Sequence, residues 1–357
     1  MASTTSGVAA DKYRAAGVDI DAGNHAVNLL AESVSSARTP EVLSKTGSFA
    51  GLYSAAGLNA ESVLVASTDG VGTKAALAAQ HGRWRQIGVD LVNHCVGDVI
   101  VHGARPLFFL DYVAMGQLVP EVVAEVVAGI AEACRAAECA LLGGETAEMP
   151  GVYSQGSVDV VGTVVGVAQK EQLLPRTDAI RVGDLLVGVA SSGPHTNGYS
   201  LIRASLQKHL DTGRINKVTY QALVDDVLTP HRSYLPFVAK LSEIGVEPKA
   251  LAHITGGGFF DNLPRVLPPH LGVQIELGSW PVPELFTTLV NMAELDELEA
   301  FRVWNMGVGL VVVVDQTAAE ALMESDVLAG EELNIIGAVV NRGDSTGPES
   351  VHFKLNN

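Results

Sequence analysis

Three acidic side chains stand where phosphate chemistry would want them. Asp69 lies in the turn TDGVGTK (68–74), Glu145 in GGETAEMPG (143–151), and Asp98 in a helical stretch, 86–103. Carboxylates drawn from separate segments offer Mg2+ the hard oxygen ligands it prefers, and the ion can then bridge a polyphosphate. The first turn resembles a phosphate loop with its order disturbed. A P-loop reads G-x-x-x-x-G-K-[ST]; here Thr73 precedes Lys74 and the first glycine is missing, leaving Gly70 and Gly72 to make the turn. A carboxylate inside such a turn makes sense if Asp69 holds a metal and the metal holds the phosphates. For any one of these acids taken singly, a solvated or capping role is the commoner outcome.

Two further glycine-punctuated stretches are SSGPHTNGYS (191–200) and HITGGGFFDNLPR (253–265). Glycine lets the backbone turn tightly and bring its N–H groups to a ligand, and a helix N-terminus favours anions. Gly256, Gly257 and Gly258, leading straight into a helical run, are the best pure phosphate cradle in the chain. His195, in a proline-glycine loop ahead of a helix, could bind phosphate, exchange protons near neutral pH or hydrogen-bond its own loop. The residues alone leave these three open. His94, Asp98 and His102 recur every four residues and share a helical face. A transition-metal line is one reading; a wetted stripe opposite the apolar Leu91, Val92, Cys95, Val96 and Val99 is the better one.

The elements that must position these residues alternate along the chain. Residues 21–37 read as a helix stopped by Thr39-Pro40. After it come strand 62–67, helix 86–103, strand 107–114, helix 120–137, and strands 139–143 and 158–168. Two consecutive strands with no helix between them argue against a pure βαβ series, so a mixed α+β topology is expected. A second series opens with strand 185–190 and runs through helix 198–209, a polar stretch 210–227, helices 233–243 and 258–267, and strand 308–314. The domain expectation is a flexible arm over 1–12, an N-terminal domain over 13–170 and a C-terminal domain over 171–357.

Composition limits the partners. With 23 basic and 40 acidic residues the net charge is −17, which repels nucleic acid and anionic membranes, since affinity for phosphate backbones comes mostly from Lys and Arg. A phosphorylated ligand would therefore arrive with a metal. Cys95, Cys134 and Cys139 lack the spacing of a disulfide frame or zinc site and read as reduced core thiols. The N-terminus lacks the features of a secretory signal, and no apolar run approaches the length of a membrane span. A cytoplasmic location is the expectation.

The strings DIDAGN (19–24), TDGVGTK (68–74), PLFFLDY (106–112), GGETAEMPG (143–151), SSGPHTNGYSLIR (191–203) and HITGGGFFDNLPRVLP (253–268) resemble, in order, the phosphoribosylformylglycinamidine cyclo-ligase (AIR synthetase) family. The resemblance extends to Met306-Gly307-Val308-Gly309. It implies a two-domain AIR-synthetase-like α+β fold, with an N-terminal mixed sheet that pairs across a homodimer and a C-terminal α/β domain. It also implies ATP-dependent closure of formylglycinamidine ribonucleotide to aminoimidazole ribonucleotide, in purine biosynthesis, with ATP and Mg2+ bound at the N-terminal domain.

Carried onto this chain, the family motifs make Asp69, Asp98 and Glu145 the acids facing metal and polyphosphate. Lys45, Gly47, Gly70, Gly72, Thr73 and Gly144 belong with the nucleotide, and Lys74, the basic end of TDGVGTK, is a catalytic residue, as is His195. Thr196 and Asn197 lie over the reacting groups, and Thr255 with Gly256–Gly258 suit the ribose phosphate of the substrate. This chain departs from the family at SKTGSF (44–49), where a glycine-rich string is usual. It also has Gly97 in place of Asn, Arg105 in place of Glu, and atypical histidines at 94 and 102. Two other readings compete: a relative that phosphorylates a different acceptor, such as thiamine phosphate or selenide, and a non-catalytic nucleotide-binding regulator.

Overall fold

In the computed structural model the described residues are 20–45, 50–342 and 350–355. Contacts divide the chain into two units, Met1–Val96 with Pro106–Val167, and Gly97–Arg105 with Ala168–Asn357.

In the first unit the elements run α1 (Ile20–Ser36), β1 (Ser62–Gly70), α2 (Lys74–Gln80), α3 (Trp84–Ile100), β2 (Arg105–Met115), α4 (Pro120–Ala136), β3 (Ala140–Glu148) and β4 (Val158–Gln169). The division of the chain falls inside α3, after Val96. The four strands form one sheet in the order β1-β4-β2-β3. β2 and β3 run parallel, with a bulge between Phe109 and Leu110. The α4 sequence PEVVAEVVAGIAEACRA explains its own start: Pro120 occupies the first turn, where no N–H is needed, and Glu121 complements the helix dipole. Val123, Val126, Val127, Ile130 and Cys134 are buried, and α4 packs against α1. The strands alternate. Along β4, Val160, Gly162 and Val164 are buried while Val161, Thr163 and Val165 are half-exposed, so one face of the sheet carries the core.

The second unit continues with β5 (Leu185–Ala190), α5 (Tyr199–Asp211), α6 (Lys217–Val227), α7 (Leu235–Glu243), β6 (Ala250–His253), α8 (Gly258–Asn262), β7 (Leu271–Leu277), α9 (Glu284–Ala293), α10 (Glu297–Val303), β8 (Val308–Val314), α11 (Gln316–Glu324), β9 (Leu333–Asn341) and β10 (Val351–Leu355). Its sheet has the order β10-β7-β9-β5-β8-β6. All neighbouring pairs are antiparallel except β10 with β7. β8, VGLVVVV, is buried at every position. Each such Val or Leu contributes roughly 1.5–3 kcal/mol relative to an exposed one.

The differences from the sequence reading have local causes. The helix expected over 86–103 ends at Ile100, and residues 97–105 group with the second unit rather than the first. There the Leu174 N–H donates to the His102 carbonyl at 3.3 Å, and His102 Nδ1 meets the Leu174 carbonyl at 3.0 Å. The polar stretch 210–227 contains α6, whose Asn216 side chain caps the Thr219 N–H at 2.9 Å. The helix expected over 258–267 is the short α8 followed by a 3-10 turn, Leu263–Val266, with Pro264 in it.

Candidate functional site

Asp69 lies in the last turn of β1, its side chain 48% exposed. Its Oδ2 is 2.8 Å from His94 Nε2, and the Gly70 N–H donates to its Oδ1 at 2.7 Å. His94 is 2% exposed. It was expected on a wetted stripe of α3, and instead it is buried and holds a carboxylate. Lys74 differs in the same direction. Expected as a catalytic residue, it is fully buried and bonded to Asp90 at 2.8–2.9 Å. Burial pulls its pKa down, opposed by the Asp90 carboxylate. The ammonium therefore ties α2 to α3. Gly72 and Thr73 remain exposed in the turn ahead of it.

A cavity of about 640 Å³ opens in this same unit. Its walls include Arg38, Lys45, Asp111, Gly144 and Glu145, so Lys45, Gly144 and Glu145 share one concavity. Asp69 is not among its walls. Gly47 lies outside the described residues. Asp111, opposite Gly144 in the β2–β3 register, approaches so closely that a Cβ on Gly144 would lie 2.4 Å from Asp111 Oδ1. Burial pushes the Asp111 carboxyl up to about 7, with its own backbone N–H pulling the other way. Among the described residues Glu145 joins no close group of three metal-capable side chains.

In the second unit the SSGPHTNG loop and the TGGG turn meet: a Cβ on Gly256 would lie 3.2 Å from Asn197 Oδ1. Gly257 and Gly258 both have positive φ, 85° and 58°, which a turn of this kind requires of glycine. The turn is laced from inside by Asn262, whose Nδ2 donates to the carbonyls of Thr255, Gly256 and Gly258 at 3.3, 3.2 and 2.7 Å. The Asp261 carboxylate lies against Gly257, so the cradle is not purely cationic. His195 is 1% exposed with φ of +58°, an uncommon conformation for a residue with a side chain. Its Nε2 accepts from the Ser192 N–H at 3.3 Å, and its ring stacks on His231 with centroids 3.8 Å apart. Thr196 is buried beside it.

Asp98 is 26% exposed and accepts from His253 Nδ1 at 3.0 Å. Sequence reasoning assigned no role to Asp111, His231 or His253. Asp111 ends the apolar run PLFFLD and His253 opens HITGGG, both quoted above. The signal was present, but single polar residues inside or beside apolar runs are too common to single out.

The fold and the sequence match known proteins. Residues 50–168 match the model of the AIR synthase related protein N-terminal domain, and 181–348 match its C-terminal domain. A phosphoribosylformylglycinamidine cyclo-ligase of Geobacillus kaustophilus is 46% identical over 333 residues, covering 92% of this chain and 96% of that one. Another, of Sorangium cellulosum, is 45% identical over 344 residues, covering 96% and 99%. Among solved structures, a thiamine-monophosphate kinase from Stenotrophomonas maltophilia superposes with a TM-score of 0.66 at 17% identity, covering 91% of this chain and 96% of its own. A hydrogenase maturation protein HypE in complex with ATP superposes with a TM-score of 0.64 at 20% identity, covering 90% and 88%. The structures share the fold and diverge in sequence, whereas the cyclo-ligases are alike throughout. The chain belongs to the phosphoribosylformylglycinamidine cyclo-ligase family, with both AIR synthase related domains.

Proposed function

We propose that this chain closes the imidazole ring of aminoimidazole ribonucleotide from formylglycinamidine ribonucleotide, consuming ATP and releasing ADP and phosphate. The observation that carries the reading is the identity of 46% to a curated cyclo-ligase across 92% of the chain, because it spans both units and every glycine turn described above. Transfer of the γ-phosphoryl to the formamide oxygen turns a poor leaving group into phosphate. The amidine nitrogen then attacks that carbon, loses a proton, and the C–O bond to phosphate breaks. Chemistry of this kind needs positioning and charge neutralisation more than a protein nucleophile, in keeping with a site of glycine turns and carboxylates.

The donor set fits a hard divalent ion. Asp69 and Asp98 are partly exposed carboxylates, each hydrogen-bonded to a histidine on one oxygen, an arrangement that orients a ligand toward a metal. Asp69 would hold Mg2+ in the first unit, where the ion would neutralise charge on the polyphosphate, and Glu145 would face the nucleotide from the cavity it shares with Lys45 and Gly144; in the second unit Asp98 would be a ligand of the same kind. Gly70, Gly72 and Thr73 turn the backbone beside Asp69. In the second unit Thr196, Asn197, Thr255 and Gly256–Gly258 would bind the substrate's ribose phosphate, with His195 next to the reacting groups. Lys74 acts through its ion pair, holding the Asp69 turn to α3.

The uncovered face of the first sheet supports a homodimer: Leu64 is 59% exposed on β1, which stands at the edge of the sheet. None of the described helices is long and apolar enough to cross a membrane, and the buried free thiols Cys95, Cys134 and Cys139 suit a reducing cytoplasm. The test is ADP release with ATP and each candidate acceptor. Turnover with formylglycinamidine ribonucleotide and none with thiamine phosphate or selenide is expected. Asp69→Asn should lose most of that turnover and keep its fold; an unchanged rate and unchanged Mg2+ dependence in this variant would contradict the metal role.

A further inference from the structure

Gly97 lies beneath a histidine ring. A Cβ there would stand 2.4 Å from His253 Cε1, 2.7 Å from Nδ1 and 2.9 Å from Nε2, so any larger residue would push the ring away from α3. With glycine in place, His253 lies flat on the helix and reaches the neighbouring Asp98 carboxylate through Nδ1 at 3.0 Å. Its other nitrogen, Nε2, is 3.2 Å from His231 Nε2. His231 is itself fixed twice: its Nδ1–H donates to the Arg232 carbonyl at 2.8 Å, and its ring is stacked on His195. His231 and His253 are 1% and 6% exposed. A half-exposed carboxylate on the last turn of a helix is thus anchored through two buried rings to a backbone carbonyl.

We propose that His231 and His253 are positioning residues that hold the Asp98 carboxylate in its ligating rotamer, and that Gly97 is what admits them. The proposal rests on the metal role of Asp98 given above. A carboxylate ligand that is already oriented binds its ion more tightly, and loss of such supporting partners typically lowers metal affinity about 10–100-fold.

The experiment is a Mn2+ titration of the full-length protein, with free Mn2+ read by electron paramagnetic resonance, on the parent and on Asp98→Asn, His231→Ala, His231→Gln and Gly97→Ala. Asp98→Asn tests the underlying metal role and should weaken binding strongly. His231→Ala, which removes no group touching Asp98, and Gly97→Ala should each weaken it on the order of tenfold. His231→Gln, whose side-chain amide can still hydrogen-bond His253 Nε2, should stay near the parent. If Asp98→Asn binds Mn2+ like the parent, the metal role fails and takes the proposal with it. If Asp98→Asn weakens binding while His231→Ala and Gly97→Ala do not, the metal role stands and the positioning proposal is wrong. Zn2+ binding abolished by His231→Ala with Mn2+ binding unmoved would make the two imidazoles a metal site in their own right and would likewise overturn it. Should His231→Ala lose its cooperative thermal transition, Gly97→Ala and His231→Gln decide the matter.

Discussion

A buried ion pair and a carboxyl in the cavity wall govern how this protein should respond to single substitutions. Lys74 and Asp90 are both fully inaccessible and meet at 2.8 Å. Removing one member of such a pair leaves an uncompensated buried charge, which costs about 3–5 kcal/mol. Lys74→Met should therefore lower unfolding free energy by that order in denaturant melts, and Lys74→Met with Asp90→Leu should recover much of it. A Lys74→Met variant as stable as the parent would mean that the ammonium is not needed against Asp90. Asp111 is the second case. Burial raises its pKa from 3.8 to about 7, so the folded protein binds this proton more tightly than the unfolded chain does. Stability from this group is thus greatest at low pH and falls as pH rises from about 4 to about 7, by at most about 4 kcal/mol. Asp111→Asn should flatten that part of the profile. Chemical unfolding at pH 5 and pH 8 in parent and variant measures the difference, and equal slopes would rule out the burial penalty.

The elements place these residues by close approach. β8 passes so near the histidine loop that a Cβ on Gly309 would lie 2.0 Å from Tyr234 Oη and 2.6 Å from His195 Cε1. Gly309→Ala must then move either the tyrosine or the histidine. Burial pushes the Tyr234 hydroxyl's pKa up, and Oη bonds the Ala190 carbonyl at 3.0 Å, so the tyrosine is poorly placed to yield. The variant should lose about 1–3 kcal/mol of stability, the usual cost of overpacking, together with turnover. A stable variant with full activity would show that His195 has room to spare. The strands were readable from their apolar runs: residues 185–190 and 308–314 read as strands and form β5 and β8 with those bounds. The four-residue β6 was not, since so short a segment has no distinctive period, and the helices α9 to α11, seven to ten residues long, were not singled out.

For the molecule as a whole, the unsettled surface is the open face of the first sheet. Leu64 on β1 is 59% exposed, and an apolar side chain on an uncovered edge strand invites pairing. Leu64→Glu should convert a dimer to a monomer in sedimentation or light scattering without unfolding it; a parent that is already monomeric would remove the proposed dimer. The net charge of −17 makes adventitious aggregation a poor explanation for any dimer observed.

Local patterns in the chain were enough to establish the α+β class, the order of the glycine turns, and the resemblance that names the chemistry. These depend on periodicity and on strings of neighbouring residues, which survive without knowledge of the fold. The partners of individual side chains did not follow from such patterns. Lys74 read as a catalytic residue and is a buried counter-ion, and His94 looked solvated and is buried against Asp69. His253 and Asp98 are 155 positions apart in sequence and share a hydrogen bond. Contacts over such distances are set by how strands and helices pack, and by whether a glycine such as Gly97 leaves the room for a ring, so only the tertiary structure could decide them.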